Sequence, residues 1–208
     1  MYPPAQRGGS FLHMNKSIKL FSVLILLFLV VASAYAQFLP LNGSGKCEMA
    51  EVVPVEGFPK LALHSNGVRW FKSLPAGDVK LNTLVKDSVE GKVSAHVELM
   101  VHAQSGILRK VAGSVSYRIS VETKDEKYRY CFKDFVYHYY AQNRNYQMVK
   151  TGKTKPLEET QAQGWQKLWT QHRKTVFALV ASQINELKVT IVETPKSANE
   201  KEEKKVDW

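Results

Sequence analysis

The sequence predicts an α+β fold whose elements run strand, helix, four strands, long helix. Two observations carry this. Residues 115–140 read VSYRISVETKDEKYRYCFKDFVYHYY, two long strands of period two joined by a short charged turn. Residues 158–188 then carry apolar side chains at spacings of three and four, the signature of an amphipathic helix. At 208 residues with 44% apolar content, the chain can form one packed domain plus appendages.

The N-terminal region is read as an export signal. Lys16 and Lys19 precede an apolar run of 13 residues, 20–32, and Ala34-Tyr35-Ala36 follows as a small-x-small cleavage site. The run falls short of the roughly 20 residues of a comfortable membrane span. A membrane association is therefore expected only if the signal stays uncleaved. We read 1–13 as an upstream extension, with Met14 the natural start, 14–36 as the signal peptide and 37–46 as a Pro- and Gly-bearing linker. The formal charge is +10, and removing Arg7, Lys16 and Lys19 leaves +7 on the rest. Acidic residues are interspersed, so this charge implies weak attraction to anionic surfaces and names no partner.

The domain is expected over 47–192. Residues 47–55 form a first strand ending at Gly57, and Pro54, which cannot donate to a ladder, suits an edge. Pro59 suits a first helical turn, and 61–74 forms a helix. Leu61, Val68 and Phe71 share one face of it, with Leu63, Trp70 and Leu74 beside them. Gly67 costs that helix about 1 kcal/mol relative to alanine. Residues 79–89 alternate imperfectly and Glu90-Gly91 turns the chain. Residues 92–103 alternate cleanly, with Val93, Ala95, Val97, Leu99 and Val101 on one face and Ser94, His96, Glu98, Met100 and His102 on the other. A loop over 104–110 leads to the central hairpin. There Phe135, Tyr137 and Tyr139 have the opposite parity to Tyr128, Tyr130 and Phe132, which calls for a β-bulge near Lys133-Asp134.

Residues 141–156 are polar and lysine-rich and are read as a loop. The helix over 158–188 shows Trp165, Trp169, His172, Val176, Val180 and Leu187 on one stripe. Unbroken it would be about 45 Å long, so its first turns are expected to fray or kink near Gly164. Residues 189–192 are β-prone and expected to leave the helix. The charged tail 193–208 is expected to be disordered.

Residues EVVPVEG, the following helix with Trp70-Phe71, a lysine-rich strand pair, YRISVETKDEKYRYCFKDFVYH and the long helix with Trp165 and Trp169 together resemble a bacterial family. It is the domain-of-unknown-function family four-four-six-eight, described as having a fold like the TATA-box-binding protein. The likeness covers about residues 47–190. It implies a curved antiparallel sheet of about five strands with two helices on one face. It also implies an exported protein of a Gram-negative bacterium, periplasmic or at the outer surface. The family offers no catalytic residues to carry over, and the fold name describes shape only.

No motif for catalysis or nucleotide binding is present: GxSxG, HExxH, a P-loop and GxGxxG are all missing. No cofactor is expected. His96 and His102 lie six residues apart on one strand, about 20 Å, so they cannot share a metal, and no metal site is expected. A Cys47–Cys131 disulfide is one alternative in an oxidising compartment; separate, partly buried thiols are the favoured expectation, since the two are read on strands that need not be neighbours and a bridge needs Cα atoms within about 7 Å. Tyr130 and Phe132 belong under the helices, while Tyr139, Tyr140 and Tyr146 are expected at the surface. The face opposite the core is polar and basic, and His96, Arg118, Arg129 and Lys133 are its candidate binding residues. The expectation is a non-enzymatic domain that binds an envelope protein or self-associates, and does not bind nucleic acid. The alternative is an envelope hydrolase without a recognisable motif.

Overall fold

The computed structural model describes residues 41–103 and 110–193. By compactness the chain divides into Met1–Phe38 and Leu39–Trp208, and all described residues belong to the second unit. The extension, the signal peptide, most of the 104–110 loop and the tail beyond Glu193 lie outside the described residues.

The elements are β1 (Glu48–Pro54), α1 (Lys60–Ser73), β2 (Val79–Asp87), β3 (Lys92–His102), β4 (Val111–Lys124), β5 (Lys127–Gln142), β6 (Met148–Pro156) and α2 (Gln166–Thr190). All pairings are antiparallel, in the order β1-β5-β4-β3-β2, and β6 also pairs with β5. The sheet therefore has six strands rather than about five. The sixth lies in the segment read as a loop. Its sequence, MVKTGKTKP, shows no apolar alternation because it lies along an edge. β5 is 16 residues long, and the 7-residue β1 pairs only with Lys127 to Lys133. β6 takes the outer edge of the remainder, from Val136 to Gln142.

Between these two partners β5 bulges. Its register against β4 shifts between Ser116↔Val136 and Arg118↔Lys133, and Asp134 stands at φ 60°. This left-handed conformation suits aspartate better than most residues. The bulge flips the parity of β5. Tyr128, Tyr130 and Phe132 before it, and Phe135 and Tyr137 after it, all turn inward and are buried.

Both helices cover one face and share one core with the sheet. Trp70 packs edge-on to Phe132, and Tyr117 stacks on Phe135. From α2, Trp169, Val176, Val180 and Leu187 are fully buried. Burying each such side chain contributes about 1.5–3 kcal/mol. On α1 the inward face is Leu63, Trp70 and Phe71, whereas Leu61 is 69% exposed and takes no part in packing. The Asp125 carboxylate in the β4–β5 turn accepts a hydrogen bond from the Lys60 amide (2.8 Å). It satisfies one of the open amides at the start of α1.

α2 starts at Gln166, eight residues later than the pattern predicts. Gly164 at φ 82° breaks the chain there, and the Trp169 indole donates to Glu159 O (2.7 Å), tying down the preceding loop. At its other end α2 runs to Thr190 instead of stopping at Lys188. Asn66 Nδ2 donates to Ile191 O and Glu193 O, each at 2.9 Å, and Ile191 is buried. Tertiary anchoring from α1 outweighs the β-propensity of 189–192. Among the described residues no helix is long and apolar enough to cross a membrane.

Candidate functional site

The face of the sheet turned away from the helices is organised by strand register into three parallel rows. Residues opposite each other on paired strands share a face, so each row can be followed across five strands. One row is Thr83, His96, Arg118, Lys133 and Glu48, from β2 through β3, β4 and β5 to β1. The next is Val85, Ser94, Ser120, Cys131 and Ala50. The third is Asp87, Lys92, Glu122, Arg129 and Val52. The outer rows carry long charged side chains. The middle row is made mostly of short ones, so it forms the floor of a trough running across the strands.

A groove of about 380 Å3 occupies part of this trough. His96, Arg118, Lys133 and Lys92 line it together with the hydroxyls of Ser94 and Ser120, and its lining holds no carboxylate. The neighbouring acids are paired from outside it. Lys92 meets Glu122 at 3.0 Å and Arg118 meets Asp134 at 3.8 Å. All four side chains are more than 40% exposed, so water screens both pairs and each contributes little. Arg118 and Lys133 stand directly opposite each other, a like-charge arrangement flanked by Asp134 beside Arg118 and Glu48 opposite Lys133.

Of the four candidate residues, the structure brings His96, Arg118 and Lys133 into one row and one groove. Arg129 stands on the opposite wall, on the same strand as Lys133. Lys92 completes the cationic set. It was not among the candidates, because a lone lysine at a strand start carries no signal without the register. A second depression, of about 570 Å3, lies beyond the outer wall along Val52, Lys92, Glu122 and Arg129.

The far end of the same face is not open. Lys150 on β6 reaches Glu98 on β3 at 2.7 Å, with β5 and β4 between them. In a flat sheet three strand spacings are about 14 Å, so the sheet must curl to let them meet. Glu98 is 8% exposed. Burial, the largest single influence, resists its ionisation, but hydrogen bonding and charge from Lys150 together with Ser114 and Asn82 outweigh it and hold its pKa below the usual carboxylate range. Tyr140 Oη donates to Glu98 at 3.4 Å. Ser116 Oγ and His138 Nε2 lie 2.8 Å apart, and burial, with help from Lys150, lowers the His138 pKa. This cluster is invisible in the sequence because Lys150 falls in the segment read as a loop.

The remaining reactive groups are dispersed. Cys47 and Cys131 are free thiols. β1 does neighbour β5, but the two cysteines face opposite sides of the sheet. Cys131 shares the trough floor with Ala50, while Cys47 has the parity of Met49, which packs against the core. Burial, reinforced by a nearby carboxylate in each case, pushes their pKa values to about 12 and about 11. His172 is buried in the core against Tyr137. Tyr130 and Phe132 are buried as expected, and Tyr146 is 84% exposed. Tyr139 is only half-exposed, because its ring packs on Tyr137 and Trp165. Tyr140 is half-exposed too, turned into the Glu98 cluster. Among the described residues no group of three or more His, Cys, Asp or Glu is placed to hold a metal ion.

Residues 50–138 match the family described as "Domain of unknown function (DUF4468) with TBP-like fold". Two solved structures are similar to the chain. One is a TBP-like protein from Parabacteroides distasonis ATCC 8503, at 18% identity and TM-score 0.47, covering 73% of this chain and 97% of that one. The other is a DUF4468 family protein from Bacteroides ovatus ATCC 8483, at 14% identity and TM-score 0.50, covering 76% of this chain and 92% of that one. At this identity the second likeness establishes a shared fold and nothing about activity. No curated protein matches the chain.

Proposed function

We propose that this chain, a carrier of a DUF4468 domain with a TBP-like fold over residues 50–138, is an exported binding protein without catalytic activity. Its working surface is the basic part of the open sheet face, and its partner in the bacterial envelope presents acidic groups. The observation that carries this reading is the row His96–Arg118–Lys133, held in register on three adjacent strands beside a groove whose lining has no carboxylate. Export rests on the tripartite pattern of 14–36.

The test is capture from envelope extract by the purified protein, with the Arg118→Ala/Arg129→Ala variant as control. A single protein retained by the wild type and lost by the variant is the expected result. Equal capture by both removes the sheet face from consideration.

The 2.8 Å contact between Ser116 Oγ and His138 Nε2 favours a second reading, a serine hydrolase. The reading is the weaker of the two. Ser116 sits in the middle of β4, between two paired strands, where the ladder occupies the backbone amides that an oxyanion would need. Turnover of a nitrophenyl ester that disappears in Ser116→Ala would revive it.

A further inference from the structure

We infer that the trough between the two charged rows holds an extended acidic polypeptide segment lying across the strands. This rests on the binding role proposed for the same face and adds the class and direction of the occupant.

The length comes from the register. Five strands at spacings of about 4.8 Å give a trough about 19 Å long, room for about six residues of extended chain at about 3.3 Å each. The floor of Ser94, Ser120, Cys131 and Ala50 is low enough for a main chain to lie on it, and the two hydroxyls can bond to peptide groups. The charge comes from the walls. On β3 and β5 both walls are basic, with Lys92 opposite His96 and Arg129 opposite Lys133. On β4 Arg118 faces Glu122. At the two ends the walls turn acidic, with Asp87 on β2 and, on β1, Glu48, whose carboxylate accepts from the Cys131 thiol (3.4 Å), so the basic part of the trough spans β3 to β5. A carboxylate set at Lys133 on β5 is also within reach of Arg118 on the adjoining strand, whose own partner Asp134 is exposed and 3.8 Å away, and the arginine can take it in two parallel hydrogen bonds.

Three wall carboxylates, Asp87 on β2, Glu122 on β4 and Glu48 on β1, decide between kinds of polyanion. A polymer charged at every unit must bring negative groups against them. A peptide with carboxylates about 10 Å apart, three extended residues, can meet the cations of β3 and β5 and place a neutral residue at β4. Single-stranded nucleic acid fits less well still, because the three rows contain no Phe, Tyr or Trp and offer only the His96 imidazole for a base to stack on.

The experiment is fluorescence anisotropy with the full chain and a rhodamine-labelled peptide, Gly-Glu-Ser-Ser-Glu-Gly. The controls are the same peptide with both Glu replaced by Gln, a sulfated oligosaccharide and an oligothymidylate. Arg118→Gln and Lys133→Gln should each weaken the acidic peptide about tenfold, the loss of one charge-assisted contact. Ser120→Leu leaves every charge in place and fills the floor, and it should weaken binding at least as much. Ser94→Leu repeats that test at the neighbouring floor position if Ser120→Leu unfolds early. Equal binding of the Gln peptide, or wild-type affinity in the floor variants, overturns the inference. So does binding of the oligosaccharide or oligothymidylate in place of the peptide, although anion binding at this face then survives. Loss of the broader reading is recognised separately, by envelope capture that ignores Arg118 and Arg129.

Discussion

Replacing His172 with Phe should remove a large part of the protein's acid sensitivity. His172 is 1% exposed, its ring stacks on Tyr137 at 5.7 Å and lies 6.4 Å from Trp165. Nε2 has no hydrogen-bond partner among the described residues. Burial, aided by His102, lowers its pKa from 6.5 to about 4. The folded protein therefore resists a proton that the unfolded chain accepts. The stability this represents is present above pH 6.5 and is lost as pH falls toward 4. At about 1.4 kcal/mol per pKa unit, the full loss is about 3 kcal/mol, of which about 2 kcal/mol is already gone at pH 5. The carboxylates with lowered pKa values, Glu48, Glu51 and Glu98, contribute their loss only below about pH 4.5, so pH 5 to 7 isolates the histidines. His138 acts in the same direction and remains in the variant. Urea unfolding followed by tryptophan fluorescence at pH 7 and pH 5 gives the comparison. The wild type should lose about 2 kcal/mol more than His172→Phe between the two values. An equal loss in both proteins would show that His172 is not held neutral by the core, and the reasoning would fail.

Asn66→Ala removes both hydrogen bonds that anchor the end of α2 and should cost about 1–3 kcal/mol in urea unfolding; a change below about 0.5 kcal/mol would contradict the anchoring role. Lys150→Met leaves the Glu98 carboxylate buried without its counter-ion and should cost about 2–3 kcal/mol, with Glu98→Gln in the same chain restoring most of it. Thermal and urea midpoints of the two variants check this, and no recovery in the double variant counts against the pairing. Cys47 and Cys131, buried and with raised pKa values, should alkylate slowly at pH 7.5 in the native protein and both react once it is unfolded. Intact mass would show two added groups after denaturation, and rapid native labelling at either site would contradict the burial.

Much of the framework is legible in the sequence because it depends on local periodicity. The clean alternation of residues 92–103 follows from one apolar face packed under the helices and one polar face, and Val93, Val97 and Val101 are indeed fully buried, whereas of the polar face only Lys92 and His96 are exposed. The phase change in β5 can be read directly, because a bulge is the only way to keep Tyr130, Phe132, Phe135 and Tyr137 on one side. Gly164 marks where the last helix begins.

What the sequence does not contain is register, and the candidate site is made of register. His96, Arg118 and Lys133 are distant in the chain and become neighbours only when β3, β4 and β5 align. The opposite parity of Cys47 and Cys131 across β1 and β5 is likewise a property of pairing. β6 has no apolar face of its own and forms because β5 outruns β1 and leaves backbone groups to be paired. Glu98 becomes buried because the curl of the sheet carries Lys150 to it. Periodicity along one strand fixes which way a side chain points. Which residues it meets is decided by the other strands, through hydrogen bonds that no local pattern records.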